Sequence, residues 1–325
     1  MSNLSPPAGV RNISPPSGSP NAPVLRSLLF VPGDSERKQA KARGTAADAL
    51  ILDLEDSVDV AQLPAARARV HALLQSQPDR TKQQLWVRVN ALSSGLLLED
   101  LAAVMADAGE GGPDGIVLPK VSDPQEIEEV GHYLAALEVR SAREPGSTRL
   151  MVIATETPRG LLSLSSYPDK VTSRRLAALT WGSEDLGAAL GVKARVDGSG
   201  ALTPPFQVAR TSCLLAATAL GVQAIDGVHV DFRNKDGLTR ELDGARRDGF
   251  TGKLAIHPDQ VDAINSAFMP TSAEIARAQR IIAAFAAAPG AGVVSLDGQM
   301  IDRPHLVQAQ RILQTAAGET SAAAV

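Results

Sequence analysis

The chain predicts an α/β fold, a (β/α)8 TIM barrel with a C-terminal helical extension. Three observations carry that expectation. Short apolar, β-prone runs alternate with longer segments of helical periodicity, the pattern of parallel strands joined by right-handed crossovers. Eight such runs occur between residue 26 and about residue 264, and eight is the number at which this barrel closes, usually within ~250 residues. Neither a Gly-x-Gly-x-x-Gly turn nor a Gly-x-x-x-x-Gly-Lys-Ser/Thr loop is found, so the usual markers of an open, doubly wound sheet are missing.

The elements follow in order. Residues 1–24 are rich in Ser, Pro, Asn and Gly. They offer too little apolar surface to offset ordering and are expected to form a disordered tail. With Arg11 as its only basic residue and many prolines, the tail does not read as a targeting helix. The barrel domain is placed at 25–265, with strands expected at 26–31, 49–54, 85–89, 115–119, 151–155, 176–181, 224–230 and 253–256. Helical spacing marks 36–43, 64–75, 98–108, 125–139 and 206–220 between them. Residues 266–325 read as an extension beside the barrel: an Ala-rich helix at 272–288, an irregular Gly-containing connection able to act as a lid, and a last helix at 305–316.

Bulk properties narrow the function. A chain of 325 residues, 44% hydrophobic, is ample for one large domain with a full core. A net charge of −4 leaves no basic footprint for nucleic acid. The single Cys213 excludes an intrachain disulfide, and its apolar helical setting reads as a buried, inert thiol. No apolar run approaches the ~20 residues of a membrane span, and no basic start is followed by an apolar signal region. A cytoplasmic enzyme without a membrane or nucleic-acid partner is expected.

In this barrel the active site lies at the C-terminal ends of the strands, and here every strand end is polar or charged. The ends carry Asp34, the run Asp53-Leu54-Glu55-Asp56, Arg88 with Asn90, Lys120, Glu156, the pair Glu184-Asp185, His229 with Asp231, and His257-Pro258. Glu156 and Asp185 each close an apolar run, and two such rim carboxylates suit one Mg²⁺, with the remaining positions left to water and substrate. Mn²⁺ is the other ion such a pair would take. Asp53, Glu55, Asp56 and Glu184 compete for that role. The first three, with Lys120, could instead support the ligands indirectly. Arg88 offers a planar fork for a carboxylate, or a buried salt bridge to a rim acid. His229 and Asp231, two apart on an expected strand, would face one way; a satisfied structural histidine is preferred to a metal pair. His257 either caps a turn or touches a ligand. Arg37, Lys38 and Lys41 form either a phosphate patch or a solvated helix face.

These segments together resemble the citrate lyase β-subunit-like branch of the HpcH/HpaI aldolase family. The matching runs are Arg26-Ser-Leu-Leu-Phe-Val-Pro-Gly-Asp34, Asp48-Ala-Leu-Ile-Leu-Asp-Leu-Glu-Asp-Ser-Val58, Arg88-Val-Asn90, Gly115-Ile-Val-Leu-Pro-Lys120, Glu156-Thr-Pro-Arg-Gly160, Trp181-Gly-Ser-Glu-Asp-Leu186, Ala255-Ile-His-Pro258 and Gly298-Gln-Met-Ile-Asp-Arg-Pro304. They keep the family's order over most of the chain. The resemblance implies a Mg²⁺-dependent barrel that makes or breaks a carbon–carbon bond between an acyl-CoA thioester and a 2-oxo acid. It implies Glu156 and Asp185 as metal ligands and Arg88 as the residue holding the oxo acid and the developing enolate oxygen. Phe30, Arg37 and Lys41 fall where relatives contact coenzyme A, and Ile256 and His257 fall in another substrate-contacting segment. Asp302 falls where the malyl- and citramalyl-CoA lyase branch has its catalytic aspartate, supplied by a neighbouring subunit of a trimer. The implied assembly is a homotrimer or a dimer of trimers. An acyl-carrier-dependent citryl lyase subunit, an aldolase of free hydroxy acids, and an inactive CoA-binding subunit are the competing readings.

Overall fold

Strand after strand, residues two apart point to the same side, and this alternation builds two cores. The computed structural model describes residues 24–322 apart from Ala108; the expected disordered tail, except its last residue, lies outside them. The barrel strands are β1 (Ser27–Pro32), β2 (Ala49–Asp53), β3 (Gln84–Arg88), β4 (Gly115–Leu118), β5 (Arg149–Ile153), β6 (Leu176–Thr180), β7 (Gln223–Asp226) and β8 (Gly252–Ala255). They pair in parallel in sequence order, and β1 closes on β8 through Leu28 opposite Leu254. Leu28, Ile51, Trp86, Val117, Met151 and Ile225 fill the interior. Their neighbours Leu29, Leu50, Leu52, Val87, Ile116 and Val152 face outward, under the helices. Burial on both faces explains why the strands read as continuous apolar runs.

The helices are α1 (Glu36–Arg43), α2 (Leu63–Ser76), α3 (Leu97–Val104), α4 (Gln125–Arg140), α5 (Pro158–Ser163), α6 (Tyr167–Lys170), α7 (Glu184–Leu190), α8 (Pro204–Leu220), α9 (Lys235–Asp248), α10 (Val261–Ala267), α11 (Ser272–Ala286) and α12 (Arg303–Ala322). Local chemistry starts several of them. Ser35 caps α1 by accepting the Lys38 N–H. Thr157 caps α5 with Pro158 at the first helical position, and Thr271 and Glu274 form a capping box on α11, all recognised start signals. No described helix is long and apolar enough to cross a membrane.

Two expectations are corrected. β7 ends at Asp226, not at residue 230. The run Val228-His229-Val230 has strand-like composition, but the pairing of β7 with β8 ends at Asp226 opposite Lys253. His229 and Asp231 therefore lie in the following loop rather than on a shared strand face. His229 is buried, with Nδ1 2.9 Å from Glu241 Oε1 and Nε2 3.2 Å from the Asn234 carbonyl, a satisfied structural histidine. The second correction concerns the connection in the C-terminal extension. It is a regular antiparallel hairpin, β9 (Val293–Leu296) with β10 (Gln299–Asp302). Its turn residues Asp297 and Gly298 both have positive φ, 52° and 75°, and an Asp-Gly pair of this kind is a strong hairpin signal. The hairpin, α11 and α12 share a small core of Ala278, Ile281, Ile301 and Ala309, and an ion pair from Arg246 to Glu274 ties α11 to α9.

Beneath the β6–β8 wall lies a buried charge network. Asp226 accepts the Trp181 indole N–H at 2.7 Å, Arg210 Nε at 3.0 Å and Lys253 Nζ at 3.2 Å. Burial opposes its ionisation, yet Lys253 and Arg210 hold the carboxyl below its ordinary 3.8. A depressed carboxylate stabilises the fold above its unfolded pKa and loses that contribution as pH falls through the folded one. Asp226→Ala is expected to cost about 3 kcal/mol at neutral pH, because it removes the buried partner of Lys253 and Arg210 and leaves them only their ion pairs to the more exposed Glu241 and Asp248. Urea unfolding should show that loss at pH 7 and a smaller one when both proteins are acidified well below pH 4.

Candidate active site

The site is set by strand register. Asp53 at the end of β2 stands opposite Arg88 at the end of β3, and period two turns both toward the interior, as it does Ile51 and Trp86. Arg88 donates from Nε to Asp53 Oδ1 at 2.6 Å and from Nη2 to Oδ2 at 2.7 Å, while Nη1 meets Glu55 Oε2 at 2.7 Å. Its face lies 4.9 Å from the centre of the Phe30 ring. Burial opposes the guanidinium charge, but Asp53, Glu55 and Asp56 hold it firmly charged. The fork is thus already in a salt bridge to the rim acids, one of the two roles open to it on sequence grounds, and the residue still lines the cavity above.

Glu156 is the residue before the Thr157 cap of α5. It is only 4% exposed, and its Oε2 accepts the backbone N–H of Lys120 at 2.5 Å. Burial, together with the nearby charge of Asp185, pushes its carboxyl up to about 8. Asp185 sits in the first turn of α7, where the helix dipole favours an acid, and its Oδ1 lies 3.4 Å from Lys120 Nζ. Lys120 Nζ also reaches Glu55 and, at 2.9 Å, Asp56. Glu184 pairs instead with Arg195 at 2.5 Å.

A cavity of about 770 Å³ opens over these residues. Asp53, Asp56, Arg88, Glu156 and Asp185 line it, together with Phe30, Arg37, Lys41, Ile256 and His257. Arg37 and Lys41, four apart on α1, share a helix face. His257 caps the turn, its side chain accepting the Asp259 N–H, and its ring, stacked on Phe232 at 4.4 Å, lines the cavity. Glu55 and Lys120 touch the lining residues from behind. Asp302 is not among the lining residues; it ends β10, and its Oδ1 is 2.5 Å from His305 Nδ1, a contact that lowers its pKa. Sequence reasoning gave Trp181 no role beyond its strand end, yet it forms part of the cavity wall. Its only signal was an aromatic residue directly before the Gly-Ser-Glu-Asp rim segment.

The donor set fits a magnesium ion. Among the described residues no group of three or more His, Cys, Asp or Glu is disposed around a common metal position. Two carboxylates, one of them buried and poorly neutralised, are instead what a partly hydrated Mg²⁺ site requires. The packing also reserves space for Glu156. A Cβ on Gly182 would stand 2.6 Å from Glu156 Cγ, so only glycine leaves this side chain in place.

A profile of the HpcH/HpaI aldolase/citrate lyase family matches residues 26–258. The chain belongs to that family. It is 36% identical over 293 residues to the citrate lyase subunit beta of Escherichia coli K12, covering 90% of this chain and 93% of the relative. It is 34% identical over 300 residues to the mitochondrial citramalyl-CoA lyase of Rattus norvegicus, covering 90% and 86%. Among solved structures, the Mycobacterium tuberculosis protein CitE in complex with magnesium, acetoacetate and coenzyme A superposes with a TM-score of 0.70 at 31% identity, covering 90% of this chain and 98% of that one. Membership makes this protein a lyase built on the closed barrel described above.

Gly182→Ala tests the packing around Glu156. The added methyl must displace the Glu156 side chain, so kcat/KM should fall by about tenfold or more while the barrel folds normally, the scale of a mispositioned reacting group. Steady-state kinetics with far-UV circular dichroism checks both halves.

Proposed function

We propose that this family member is a Mg²⁺-dependent carbon–carbon lyase acting on a 3-hydroxyacyl-CoA thioester of the citramalyl-CoA or malyl-CoA type. The products are acetyl-CoA and a 2-oxo acid, pyruvate or glyoxylate, and the reverse condensation uses the same groups. One observation carries the reading: the buried Glu156, with Asp185 and Arg88, lines a cavity that also carries the basic α1 face of Arg37 and Lys41. Carboxylates for a hard cation and cations for a phosphorylated thioester thus occur in one space large enough for a small-molecule ligand. The rat relative's name and the ligands of the mycobacterial structure support the same chemistry.

In this reading Glu156 and Asp185 hold the metal, which when bound supplies Lewis-acid polarisation of the oxo-acid oxygens. Asp53 and Glu55 fix the plane of Arg88, whose charge faces the thioester oxygen that becomes negative in the enolate. Arg37, Lys41 and Phe30 bind the CoA portion, and Ile256 and His257 border the acyl part. Cleavage breaks the bond between the hydroxyl-bearing carbon and the thioester α-carbon. The hydroxyl proton passes to solvent, from which Asp302 takes up its own, the oxygen becomes the oxo group, and the bonding pair passes to the thioester enolate. Asp302 then protonates the enolate carbon, or removes that proton in condensation. Because Asp302 is outside its own chain's cavity lining, it is assigned to the cavity of a neighbouring subunit in a trimer or dimer of trimers.

A second reading, a β subunit of a citrate lyase acting on a carrier-bound thioester, is favoured by the identity to the E. coli protein. A substrate panel separates the readings. Mg²⁺-dependent release of acetyl-CoA from citramalyl- or malyl-CoA, or of propionyl-CoA from β-methylmalyl-CoA, is expected. Turnover of a carrier-bound citryl thioester alone supports the second reading, turnover of free hydroxy acids alone marks an aldolase, and binding of CoA without turnover marks a silent subunit.

Arg88→Lys should lose about 2–4 kcal/mol of transition-state stabilisation, since an ammonium reproduces neither the grip on Asp53 nor the planar donor set; a kcat/KM within about threefold of wild type would make Arg88 structural. The shared site has its own measurement. Mixing inactive Asp302→Ala chains with inactive Glu156→Ala chains under subunit exchange should restore activity, because some sites then combine an intact metal pair with an intact Asp302. No recovery despite verified exchange would remove Asp302 from the neighbour's cavity.

A further inference from the structure

Lys120, two residues beyond β4, has a left-handed backbone with φ of 54°, a conformation that costs a non-glycine residue about 1 kcal/mol or more. The conformation has two consequences. The backbone N–H is presented to Glu156 Oε2 at 2.5 Å. The side chain runs to Glu55, to Asp56 Oδ1 at 2.9 Å and to Asp185 Oδ1 at 3.4 Å. One residue thus touches both carboxylates assigned to the metal, one through its backbone and the other through its ammonium.

Charge shows what the ammonium does there. Asp53, Glu55, Asp56, Glu156 and Asp185 crowd one rim, and the cations in contact with them are Arg88 and Lys120. Arg88 is committed to Asp53 and to Glu55 and Asp56, the acids just beyond β2. The cation within ion-pair reach of Asp185 among the described residues is Lys120. Its ammonium is held by Glu55 and, at 2.9 Å, by Asp56.

We propose that Lys120 is the internal counter-ion of the metal site: its ammonium neutralises Asp185, Glu55 and Asp56 before the divalent ion binds, and yields Asp185 to the ion when it does. The inference rests on the assignment of Glu156 and Asp185 as ligands. It has two chemical effects. The ammonium lowers the affinity for the ion, because a cation already near Asp185 repels a second one. It also keeps Glu55 and Asp56 paired, so that the ion takes two carboxylates and retains open positions for substrate oxygens. Lys120 is a positioning residue, acting through the carboxylates.

The test titrates Mg²⁺ into metal-free protein by calorimetry and records thermal unfolding with and without the ion. Wild type is compared with Lys120→Gln, Lys120→Gly and Lys120→Arg. Glycine adopts a φ of this sign without strain, so it carries the test where the glutamine variant folds poorly. The expected result is that the Gln and Gly variants bind Mg²⁺ about tenfold or more tightly, the scale of removing a nearby unit charge from a partly solvated site. They should also melt lower than wild type without metal and gain more from its addition. The Arg variant, which keeps the charge, should stay within about threefold of wild-type affinity. Equal or weaker Mg²⁺ binding by folded Gln or Gly variants overturns the inference alone, and is what a merely structural lysine would give. Absence of Mg²⁺ binding by wild type overturns the ligand assignment and the inference together.

Discussion

Asp53 and Arg88 face each other because parallel register places the last residue of β2 beside the last residue of β3. The rest of the rim depends on that pairing. A guanidinium with only 8% exposure is tolerable in a barrel mouth only when its N–H groups are met by acids, and here Asp53 meets two of them while Glu55 meets a third. Once Arg88 is fixed, its charge draws Glu55 and Asp56 into place, and these in turn anchor Lys120. The result is a rim whose charged groups constrain one another, the preorganised kind of surface on which a site can be held without rearrangement.

The acids still outnumber the cations there, and that surplus suits a divalent ion. Supporting contacts keep the surplus from pushing the loops apart. Asp100, fully buried on α3, accepts both the backbone and side-chain N–H groups of Asn90 and pairs with Arg67 at 2.7 Å. Asn90 in turn donates to the carbonyl of Leu54, between Asp53 at the end of β2 and Glu55 in the loop that follows. On the opposite wall Gln260 donates to the His229 carbonyl and accepts the Ile256 N–H, holding the segment that borders the cavity. Uncharged backbone groups and buried ion pairs thus brace the strand-end loops from outside the cavity.

The C-terminal extension follows a different logic. Its helices and hairpin bury their apolar faces mainly against each other, so Asp302 is carried on a small unit with its own core. Such a unit can offer its carboxylate to a cavity other than that of its own chain. The contact between Asp302 and His305 gives the carboxylate a fixed orientation at the start of α12.

Much of this was legible in the sequence because its signals are local. Eight strands fell within a few residues of their expected places, since each is a short apolar run bounded by polar residues. The rim candidates were legible because a carboxylate or an arginine ending such a run must lie at the edge of the sheet. The hairpin was legible in principle, from Asp297-Gly298, but its flanking strands are short and weakly patterned. What only the tertiary structure decided are relations between residues far apart in the chain. The fork of Arg88 is taken by Asp53, 35 residues earlier, because strand register brings them together. Lys120 joins Glu55 and Asp185 because its left-handed backbone aims the ammonium across the rim. β7 stops at Asp226, where its pairing with β8 ends, and Asp302 misses its own cavity lining because a separate core holds it. Periodicity fixes which face a residue takes; the pairing of buried charges depends on which strands are neighbours, and no local pattern encodes that.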